Sequence, residues 1–391
     1  MRTVFLCLAL AIAATLATGC DATDTSLDAS PVQTTADLRA NPRWGGPDTP
    51  ALAEVTVMSQ NLYLGGDLFT LLSPECQLPA LLGCVAQLYS DIVGSDFSAR
   101  AESIADEIAR IQPALVGLQE VSTYYVQAPG DNHTATPTQA TAVTIDFLQT
   151  LLDALADRGL AYQAVAVNDN ADVELPATTD GVNFFDVRYR DADVVLARVD
   201  PDVQIGATTG TAFQALLTLP VGGQPQTFVR GYQTVQATVD GYAFTFVNTH
   251  LEVGGNAAPV QEAQAAELKA AIDATAGAVV LVGDLNSNAD GSSTASYGLI
   301  TQSLDDVYDQ RHLRAGPTCC QAADLLNLRS ELDRRIDFVL YRGFDTARRA
   351  ETILDEQRDR VSTARGLLWP SDHAGVAAQL IQNLRRTRHD A

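Results

Sequence analysis

The chain is poor in positive charge: it holds 25 lysines and arginines against 48 aspartates and glutamates, and its formal net charge is −23. Proteins that grip a long polyanion do so with clustered cations that displace counterions, and the longest basic cluster here is residues 385–388. Aromatic residues make up only 6%, too few for a platform on which single-stranded nucleic acid stacks. The composition therefore disfavours nucleic acid as a partner and leaves it open only as a substrate.

Two catalytic motifs are also missing. The chain contains no Gly-x-Ser-x-Gly sequence, the nucleophile elbow of many serine esterases, which argues against an esterase built on Ser371, Asp372 and His373. It contains no Cys-x-x-Cys pair either, so a zinc site with paired thiolate ligands is not expected.

Long hydrophobic runs are absent apart from residues 4–16. A run this short, followed by small residues, is typical of a signal peptide and too short for a membrane span. Residues 17–20, Ala-Thr-Gly-Cys, resemble a bacterial lipobox in which Ala17 replaces the usual leucine. We therefore expect residues 1–19 to be a signal peptide and the protein to be exported, either lipid-anchored to the bacterial envelope through Cys20 or secreted. That anchor is the only membrane contact expected.

The rest of the chain divides by composition. Residues 20–52 are rich in Thr, Asp, Ala and Pro without periodicity, which is typical of a disordered tether; an ordered extension that wraps the domain is the alternative. Residues 53–382 are expected to form one large domain, followed by a basic tail at residues 383–391. No protein partner is evident.

Removal of the signal peptide leaves four cysteines besides Cys20. An even number in an exported protein favours disulfides. Cys76 and Cys84 close a short loop and are the expected pair. The adjacent Cys319 and Cys320 either form a vicinal bridge or stay reduced.

Hydrophobic periodicity predicts several helices. Apolar residues at helical spacing beside charged ones predict an amphipathic helix over residues 100–111, which ends before Pro113. Residues 143–158 and 260–274 are predicted to be helical as well. Residues 62–95 are expected to form a long connection.

Short apolar runs predict strands between these helices. Asp240-Gly241, between two such runs, is a strong signal for a two-residue hairpin. Strands, helices and hairpins mixed in this order predict an α/β protein with mixed sheets. The predicted strands are residues 54–59, 114–118, 161–167, 193–197, 227–229, 233–239, 243–247, 279–282, 335–340 and 374–380.

The most informative segment is residues 279–286, Val-Val-Leu-Val-Gly-Asp-Leu-Asn. Its four apolar residues predict a strand buried on both faces. Positions two apart share one side of an extended chain, so Asp284 and Asn286 are expected to lie together where the strand ends. A carboxylate and a carboxamide there suit an attacking water and a phosphate oxygen; an Asx turn that ends the strand is the alternative.

Other predicted strand ends carry matching polar residues. Asn61 and Glu120 each follow an apolar strand, and a carboxylate such as that of Glu120 can hold a hard cation like Mg²⁺. Asn248 and His250 lie two apart at another strand end, where a histidine can donate to a phosphate oxygen. Each of these residues alone is more often incidental.

Asp337 lies among the apolar residues 336–340, and a buried carboxylate needs a partner. That partner is either His373, which Asp337 would orient, or the neighbouring Arg334 or Arg335 in a structural salt bridge.

Together these residues resemble the motifs of the endonuclease/exonuclease/phosphatase superfamily, which includes pancreatic-type deoxyribonucleases, AP endonucleases, neutral sphingomyelinases and inositol-polyphosphate phosphatases. The motifs occur in the order of that family and span residues 60–373. The resemblance implies a four-layer α/β sandwich, in which two mixed β-sheets pack face to face, flanked by helices. The motifs are Gln60-Asn61, Gln119-Glu120, Asn248-Thr249-His250-Leu251, Gly283-Asp284-Leu285-Asn286, Arg335-Ile336-Asp337 and Ser371-Asp372-His373.

The resemblance also implies the ligands of a metal ion. Glu120 matches the principal ligand, Asn61 a supporting ligand of metal or phosphate, and Asp372 a carboxylate on the metal side. The implied ion is Mg²⁺, with Mn²⁺ or Ca²⁺ as alternatives.

Four further residues match catalytic positions of the family. His373 matches the base that deprotonates water, Asp337 orients it, and Asp284 places the water, while His250 protonates or steadies the leaving side. The residues that match phosphate contacts are Asn286, Asn248 and Arg230.

Departures from the family pattern reduce the number of candidate substrates. AP endonucleases carry a tyrosine where His250 stands and an acid where Tyr63 stands, which argues against repair of abasic DNA. Inositol phosphatases surround their substrate with lysines, and this chain is lysine-poor. Residues 318–321, Thr-Cys-Cys-Gln, resemble uncharacterised bacterial members.

The sequence thus predicts an exported Mg²⁺-dependent phosphoesterase that hydrolyses a phosphodiester, or alternatively a phosphomonoester, by in-line attack of water. Its acidity favours a small or lipid phosphodiester as substrate. An extracellular endonuclease acting on DNA is one alternative. A non-catalytic lipoprotein that keeps the fold as a binding module is the other.

Overall fold

The computed structural model describes residues 52–132, 134–221, 223–308 and 316–384. The predicted signal peptide, nearly all of the predicted tether and residues 385–391 of the predicted tail lie outside these ranges. Among the described helices, none has the length and apolar character needed to cross a membrane.

Strands make up most of the regular structure. They are β1 (Leu52–Asn61), β2 (Leu115–Gln119), β3 (Thr123–Gln127), β4 (Val143–Asp146), β5 (Tyr162–Thr178), β6 (Phe184–Arg198), β7 (Val203–Ala212), β8 (Leu217–Val221), β9 (Gln224–Phe228), β10 (Gly231–Val239), β11 (Tyr242–His250), β12 (Val279–Asp284), β13 (Asp305–Asp306), β14 (Asp337–Arg342), β15 (Thr346–Ile353), β16 (Val361–Thr363), β17 (Gly366–Leu368) and β18 (Gly375–Asn383).

The helices are fewer. They are α1 (Leu81–Gly94), α2 (Phe97–Ile111), α3 (Phe147–Asp157), α4 (Ala258–Ala274) and α5 (Ser296–Ile300). Short 3-10 helices cover Leu68–Leu72, Pro74–Cys76, Gly255–Ala257 and Gln357–Asp359.

Two large sheets contain most of the strands. The first has the order β15-β18-β1-β2-β6-β3-β4, and β5 also pairs with β6; β1 and β2 are parallel and its other pairs are antiparallel. The second has the order β13-β14-β12-β11-β10-β7, with β11 and β12 parallel. Both sheets are therefore mixed, as predicted. Two small hairpins, β8-β9 and β16-β17, stand apart from them.

Apolar side chains fill the space between the sheets and cover both outer faces. Val57 and Val195 of the first sheet pack in one cluster with Phe246 and Val282 of the second. A second cluster joins the first sheet to α1, α2 and α3, and a third joins the second sheet to α4 and α5. Helix, sheet, sheet and helix thus form four layers, which confirms the predicted sandwich.

Parallel pairing brings polar strand ends to one edge. Asn61 at the end of β1 lies beside Gln119 at the end of β2, and His250 at the end of β11 lies beside Asp284 at the end of β12. Asp284 is also in register with Asp337, which begins the antiparallel strand β14. This edge carries most of the predicted site residues.

Two predicted segments are wrong in the region before the site. Residues 143–146 form strand β4 instead of the start of a helix, because Val, Thr and Ile favour extended backbone. The side chain of Asp146 then accepts a hydrogen bond of 3.0 Å from the backbone N–H of Gln149 and caps α3. The predicted connection over residues 62–95 contains α1, whose buried residues Leu81, Val85, Leu88 and Ile92 follow helical spacing.

The structure pairs Cys76 with Cys84, whose Cα atoms are 5.8 Å apart, as the loop length predicts. It pairs Cys319 with Cys320 as well. We expect peptide mapping of the non-reduced protein by mass spectrometry to yield a peptide pair linked through Cys76 and Cys84, which separates after reduction. Free thiols at both positions in the non-reduced sample would contradict the pairing.

Candidate active site

The histidine that precedes β18 is held by a buried carboxylate. His373 Nδ1 lies 2.9 Å from Asp337 Oδ2, and both residues are buried. The alternative partners of Asp337 are engaged elsewhere: Arg335 pairs with Asp306 at 2.7 Å and Arg334 with Asp333 at 3.0 Å. Asp337 therefore orients His373 and leaves the ring's Nε2 available.

Charge around His373 favours its protonated form. Burial by itself lowers the pKa of His373, but the carboxylates of Asp337, Asp372 and Asp284 outweigh that effect and raise the pKa well above its ordinary value. The carboxylates that stabilise the imidazolium therefore keep the ring protonated until positive charge offsets theirs, and Asp337 holds it in one orientation.

Asp284 lies between the two histidines. Its Oδ2 is 3.5 Å from His250 Nε2 and 3.8 Å from His373 Nδ1, and Asn61 Nδ2 donates to it at 3.3 Å. Its Oδ1 accepts a 2.7 Å hydrogen bond from the backbone N–H of Asn286, which has a positive φ of 48°. The Asx turn considered as the alternative is therefore present, and it is also what places Asp284 and Asn286 side by side.

His250 is oriented by Arg230. The Arg230 Nη1 atom lies 2.7 Å from His250 Nδ1. Because a guanidinium only donates, Nδ1 accepts, and the proton of the neutral ring is on Nε2. Nε2 lies 3.2 Å from the side-chain nitrogen of Asn286 and faces Asp284. His250, Arg230 and Asn286 thus form one group of potential phosphate donors.

Two carboxylates beside this group suit a metal ion. Glu120 follows β2 with a positive φ of 56°, and its Oε2 accepts from the backbone N–H of Leu64 at 2.8 Å. Asp372 Oδ1 is buried and has no hydrogen-bond partner among the described residues. Burial and the nearby Glu120 raise the pKa of Asp372 to about 7, although His373 opposes the shift. A divalent cation bound by oxygen ligands would satisfy these groups, so the residues present fit one.

A second set of residues in the site could also hold a metal ion. Asp284, Asp337 and His373 place one ligand atom each within 4.8 Å of one another. The hydrogen bond between Asp337 and His373 already uses two of these atoms. This contact is compatible with the predicted division, in which Glu120 and Asp372 hold the metal and Asp337 and His373 transfer the proton.

Asn61, predicted as a supporting ligand of metal or phosphate, makes three side-chain hydrogen bonds. Its Oδ1 accepts from the backbone N–H of Tyr63 at 2.9 Å, while its Nδ2 donates to Glu120 at 3.2 Å and to Asp284. The amide nitrogen thus positions two carboxylates, while Oδ1 keeps a second lone pair, and the role of Asn61 as a ligand stays a prediction.

Asn248 also differs from its prediction, because it does not line the cleft. Its Nδ2 donates to the carbonyl of Leu118 at 3.1 Å, and its Oδ1 accepts from Gln119 at 2.7 Å. It shares a side of β11 with His250, as expected, but lies two residues or about 7 Å deeper. There it connects the two sheets, which approach so closely that a Cβ at Gly117 would lie 2.5 Å from Asn248 Oδ1.

Several buried acidic residues of the site were not predicted from the sequence. Arg230 lies 3.8 Å from Asp191 and 3.9 Å from Glu252, and His250 Nδ1 lies 3.8 Å from Asp193. Burial and the neighbouring Asp193 raise the pKa of Asp191 to about 7, although Arg230 opposes the shift. Asp191 and Asp193 lie two residues apart on β6. This spacing is the sequence signal that both side chains are on the same face of the strand.

A fully buried arginine supports the site from outside it. Arg100 donates to the carbonyls of Leu62 at 2.7 Å, Tyr63 at 3.0 Å and Pro370 at 3.0 Å. It thereby ties the segment after β1 to the segment before Asp372. Burial lowers the pKa of Arg100 to about 10. Its spacing of four from Ile104 on α2 is the sequence signal that it faces inward.

A cavity of about 390 Å³ lies beside these residues. Glu120, Arg230, His250, Asp284, Asn286, Asp372 and His373 line one end of it. The remainder is lined mostly by apolar side chains of the 3-10 helix Leu68–Leu72, α1, β5, β6 and the β8-β9 hairpin. The sequence did not predict this apolar part.

Comparison with known proteins agrees with this architecture. The model of the Endonuclease/Exonuclease/phosphatase family matches residues 59–373, whereas no curated protein sequence matches the chain. A family protein from Bacteroides thetaiotaomicron is similar in structure, with 16% identity, coverage of 86% of this chain and 98% of that chain, and a TM-score of 0.52. One from Bacteroides vulgatus has 16% identity, coverage of 84% and 98%, and a TM-score of 0.50. At this identity the likeness to solved structures shows the fold alone. The family match covers most of the chain and the two structures share its sandwich, so the chain belongs to the endonuclease/exonuclease/phosphatase family.

Proposed function

We propose that this protein is an exported Mg²⁺-dependent phosphoesterase that cleaves a phosphodiester, or alternatively a phosphomonoester, by in-line attack of water on phosphorus. The observation that carries the proposal is the 2.9 Å contact between His373 and Asp337 beside Asp284, at the polar end of the cavity. The family to which the chain belongs consists of hydrolases that act on phosphoesters. Export rests on the sequence pattern of residues 1–20, with either a lipid anchor at Cys20 or plain secretion.

Proton transfer is assigned to His373. Its Nε2 accepts a proton from the attacking water, and Asp337 stabilises the imidazolium through Nδ1–H. Asp284 accepts a hydrogen bond from the same water and so aligns it with phosphorus. The water is thereby deprotonated only where it can attack. The P–O bond opposite the water breaks as the new bond forms, and the Nε2–H of His250 donates to the leaving oxygen.

Charge that develops on the phosphoryl group meets donors on the opposite side. Arg230 and the Nε2–H of His250 are fixed by their mutual hydrogen bond before substrate binds, and Asn286 lies next to them. Donors fixed in this way stabilise a transition state without reorganising. Glu120 and Asp372 would hold Mg²⁺, which supplies Lewis acidity to the phosphoryl oxygens when it is bound.

The proposal is tested by parallel assays of the purified domain with Mg²⁺ on a bis-phosphodiester dye, sphingomyelin, inositol phosphates and plasmid DNA. We expect turnover of a small or lipid phosphoester that EDTA abolishes and added Mg²⁺ restores. Activity that survives EDTA would indicate a metal-independent esterase, and no turnover of any substrate would indicate a binding protein. Cleavage of DNA alone, unchanged from low to high salt, would favour the endonuclease alternative.

A further inference from the structure

The polar and apolar parts of the cavity are one continuous space. Its volume of about 390 Å³ falls within the range of small-molecule sites, about 300–1,000 Å³. Such sites are mainly apolar, with few polar groups that fix the ligand's orientation. Here the polar groups are the proposed catalytic ones, so any occupant of the apolar part lies next to the reacting phosphate. We call the part lined by the 3-10 helix Leu68–Leu72, α1, β5, β6 and the β8-β9 hairpin the apolar chamber.

One wall of the apolar chamber is helical. Leu68 and Leu72 of the 3-10 helix line it together with Val85, Leu88 and Ile92 of α1. The residues of α1 follow the spacing of its buried face, and that face would ordinarily pack against a neighbouring element. Here it does so in large part, because Val85, Leu88 and Ile92 are buried in the core, and the surface that they leave uncovered borders the cavity.

The facing wall is the β8-β9 hairpin, which pairs with neither sheet. Leu217, Leu219 and Val221 of β8 line the cavity, while Thr218 and Pro220 between them are exposed. This alternation of period two aims three apolar side chains at the chamber. An apolar surface of this kind left facing water is unfavourable, and an apolar ligand removes that cost.

Charge limits the number of phosphates that the cavity accepts. Among the described residues that line it, Arg230 is the only arginine or lysine. Six carboxylates line the same space, from Asp67, Glu120, Asp191, Glu252, Asp284 and Asp372. A nucleic-acid strand or an inositol polyphosphate would bring several phosphates against these acids, and Arg230 neutralises only one.

We infer that the substrate is an amphiphile with a single phosphoester, whose apolar chain occupies the apolar chamber while its phosphate meets Arg230 and His250. This inference names the substrate class of the proposed phosphoesterase and therefore rests on that function. The β8-β9 hairpin and the 3-10 helix Leu68–Leu72 select the substrate by its apolar chain. The catalytic residues contact only its phosphate.

The test is a homologous series of water-soluble substrates. Alkyl 4-nitrophenyl phosphodiesters from methyl to octyl place the chain on the group that stays with phosphorus, and alkyl phosphate monoesters place it on the leaving alcohol. A buried methylene contributes about 0.8 kcal/mol, which is about fourfold in affinity. In one of the two series we expect KM to fall up to about fourfold per added methylene until the chamber is filled, with kcat little changed.

Variants locate the effect in the chamber. Leu219→Gln on the hairpin and Leu72→Gln on the opposite wall each place an amide in the apolar wall, which penalises a buried chain. Each should lower the ratio of kcat/KM for octyl over methyl substrate by about tenfold or more. Leu216→Gln is the matched control, because Leu216 is 42% exposed and does not line the cavity. It should leave the ratio unchanged.

The outcomes separate the inference from the function on which it rests. Turnover of methyl and octyl substrates with equal KM in both series would overturn the apolar chamber and leave the phosphoesterase standing. A chain-length effect that survives both Leu219→Gln and Leu72→Gln would also overturn it, because the chain would then bind elsewhere. No turnover of any member with Mg²⁺ would instead refute the phosphoesterase itself. If one variant fails to fold, as judged by its thermal melt, the other wall still decides the result.

Discussion

Replacing His373 with alanine is expected to lower kcat by about 10²–10⁴-fold, the usual contribution of a positioned acid–base group. The affinity for Mg²⁺ should barely change, because His373 is assigned as the base and not as a ligand. Steady-state kinetics measure the first quantity and calorimetric titration with Mg²⁺ the second. His373→Gln, which keeps much of the side-chain volume, and a thermal melt of each variant separate lost chemistry from lost folding.

Asp337 should act through His373. Asp337→Asn is expected to lower kcat less than His373→Ala, since it misorients the imidazole without removing it. The double variant should be hardly slower than His373→Ala alone, because residues that act as one unit are not additive. Asp333→Asn serves as the matched control, since the side chain of Asp333 is 75% exposed. If the two losses simply multiply, Asp337 does not work through His373.

Removing the carboxylate of Glu120 should have the opposite effect to His373→Ala, because it should weaken Mg²⁺ binding. Glu120→Gln keeps the shape but loses the charge that attracts a hard cation, and we expect Mg²⁺ affinity to fall at least about tenfold. Saturating Mg²⁺ should then partly restore the rate, which it cannot do for His373→Ala. Calorimetric titration with Mg²⁺ reads the affinity directly, independent of turnover.

The exposed Glu75 provides the control for Glu120, because Glu75→Gln removes an equal charge outside the site. Its Mg²⁺ affinity should match that of the unaltered protein. An unchanged Mg²⁺ affinity in Glu120→Gln, or a lost rate that no Mg²⁺ concentration restores, would show that Glu120 is not a metal ligand.

Much of the site could be predicted because its residues follow local patterns. Asp284 and His250 each follow an apolar run, and the period of two tells which neighbour shares their side. The motif order then placed Asp337 beside His373, which the 2.9 Å contact bears out. The position of a residue along its strand could therefore be predicted from the sequence. Its distance from the edge of the sheet that carries the site could not. Asn248 lies on the same side of β11 as His250, yet its side chain forms hydrogen bonds to the other sheet and not to the cavity. Which of the two it contacts depends on where the other sheet packs.

Helical regions were less predictable for a related reason. Residues 143–146 lie before a helical pattern. They form strand β4 only because they pair with β3. Arg100 follows the apolar spacing of α2, yet an arginine on that face is costly unless carbonyls surround it. Those carbonyls, such as that of Pro370, come from segments far away in the chain.

The sequence by itself determined most of the strands, the family motifs and the residues that we propose to be catalytic, because each depends on neighbours a few positions apart. Only the tertiary structure decided which amides position carboxylates, as Asn61 does, and which connect the sheets, as Asn248 does. It also formed the apolar chamber, whose walls come from residues 68–72, 81–94, 217–221 and 224–228 and from strands β5 and β6. These segments show only ordinary apolar patterns when read singly. They form one apolar chamber because the fold brings them together beside His250 and leaves a cavity between them.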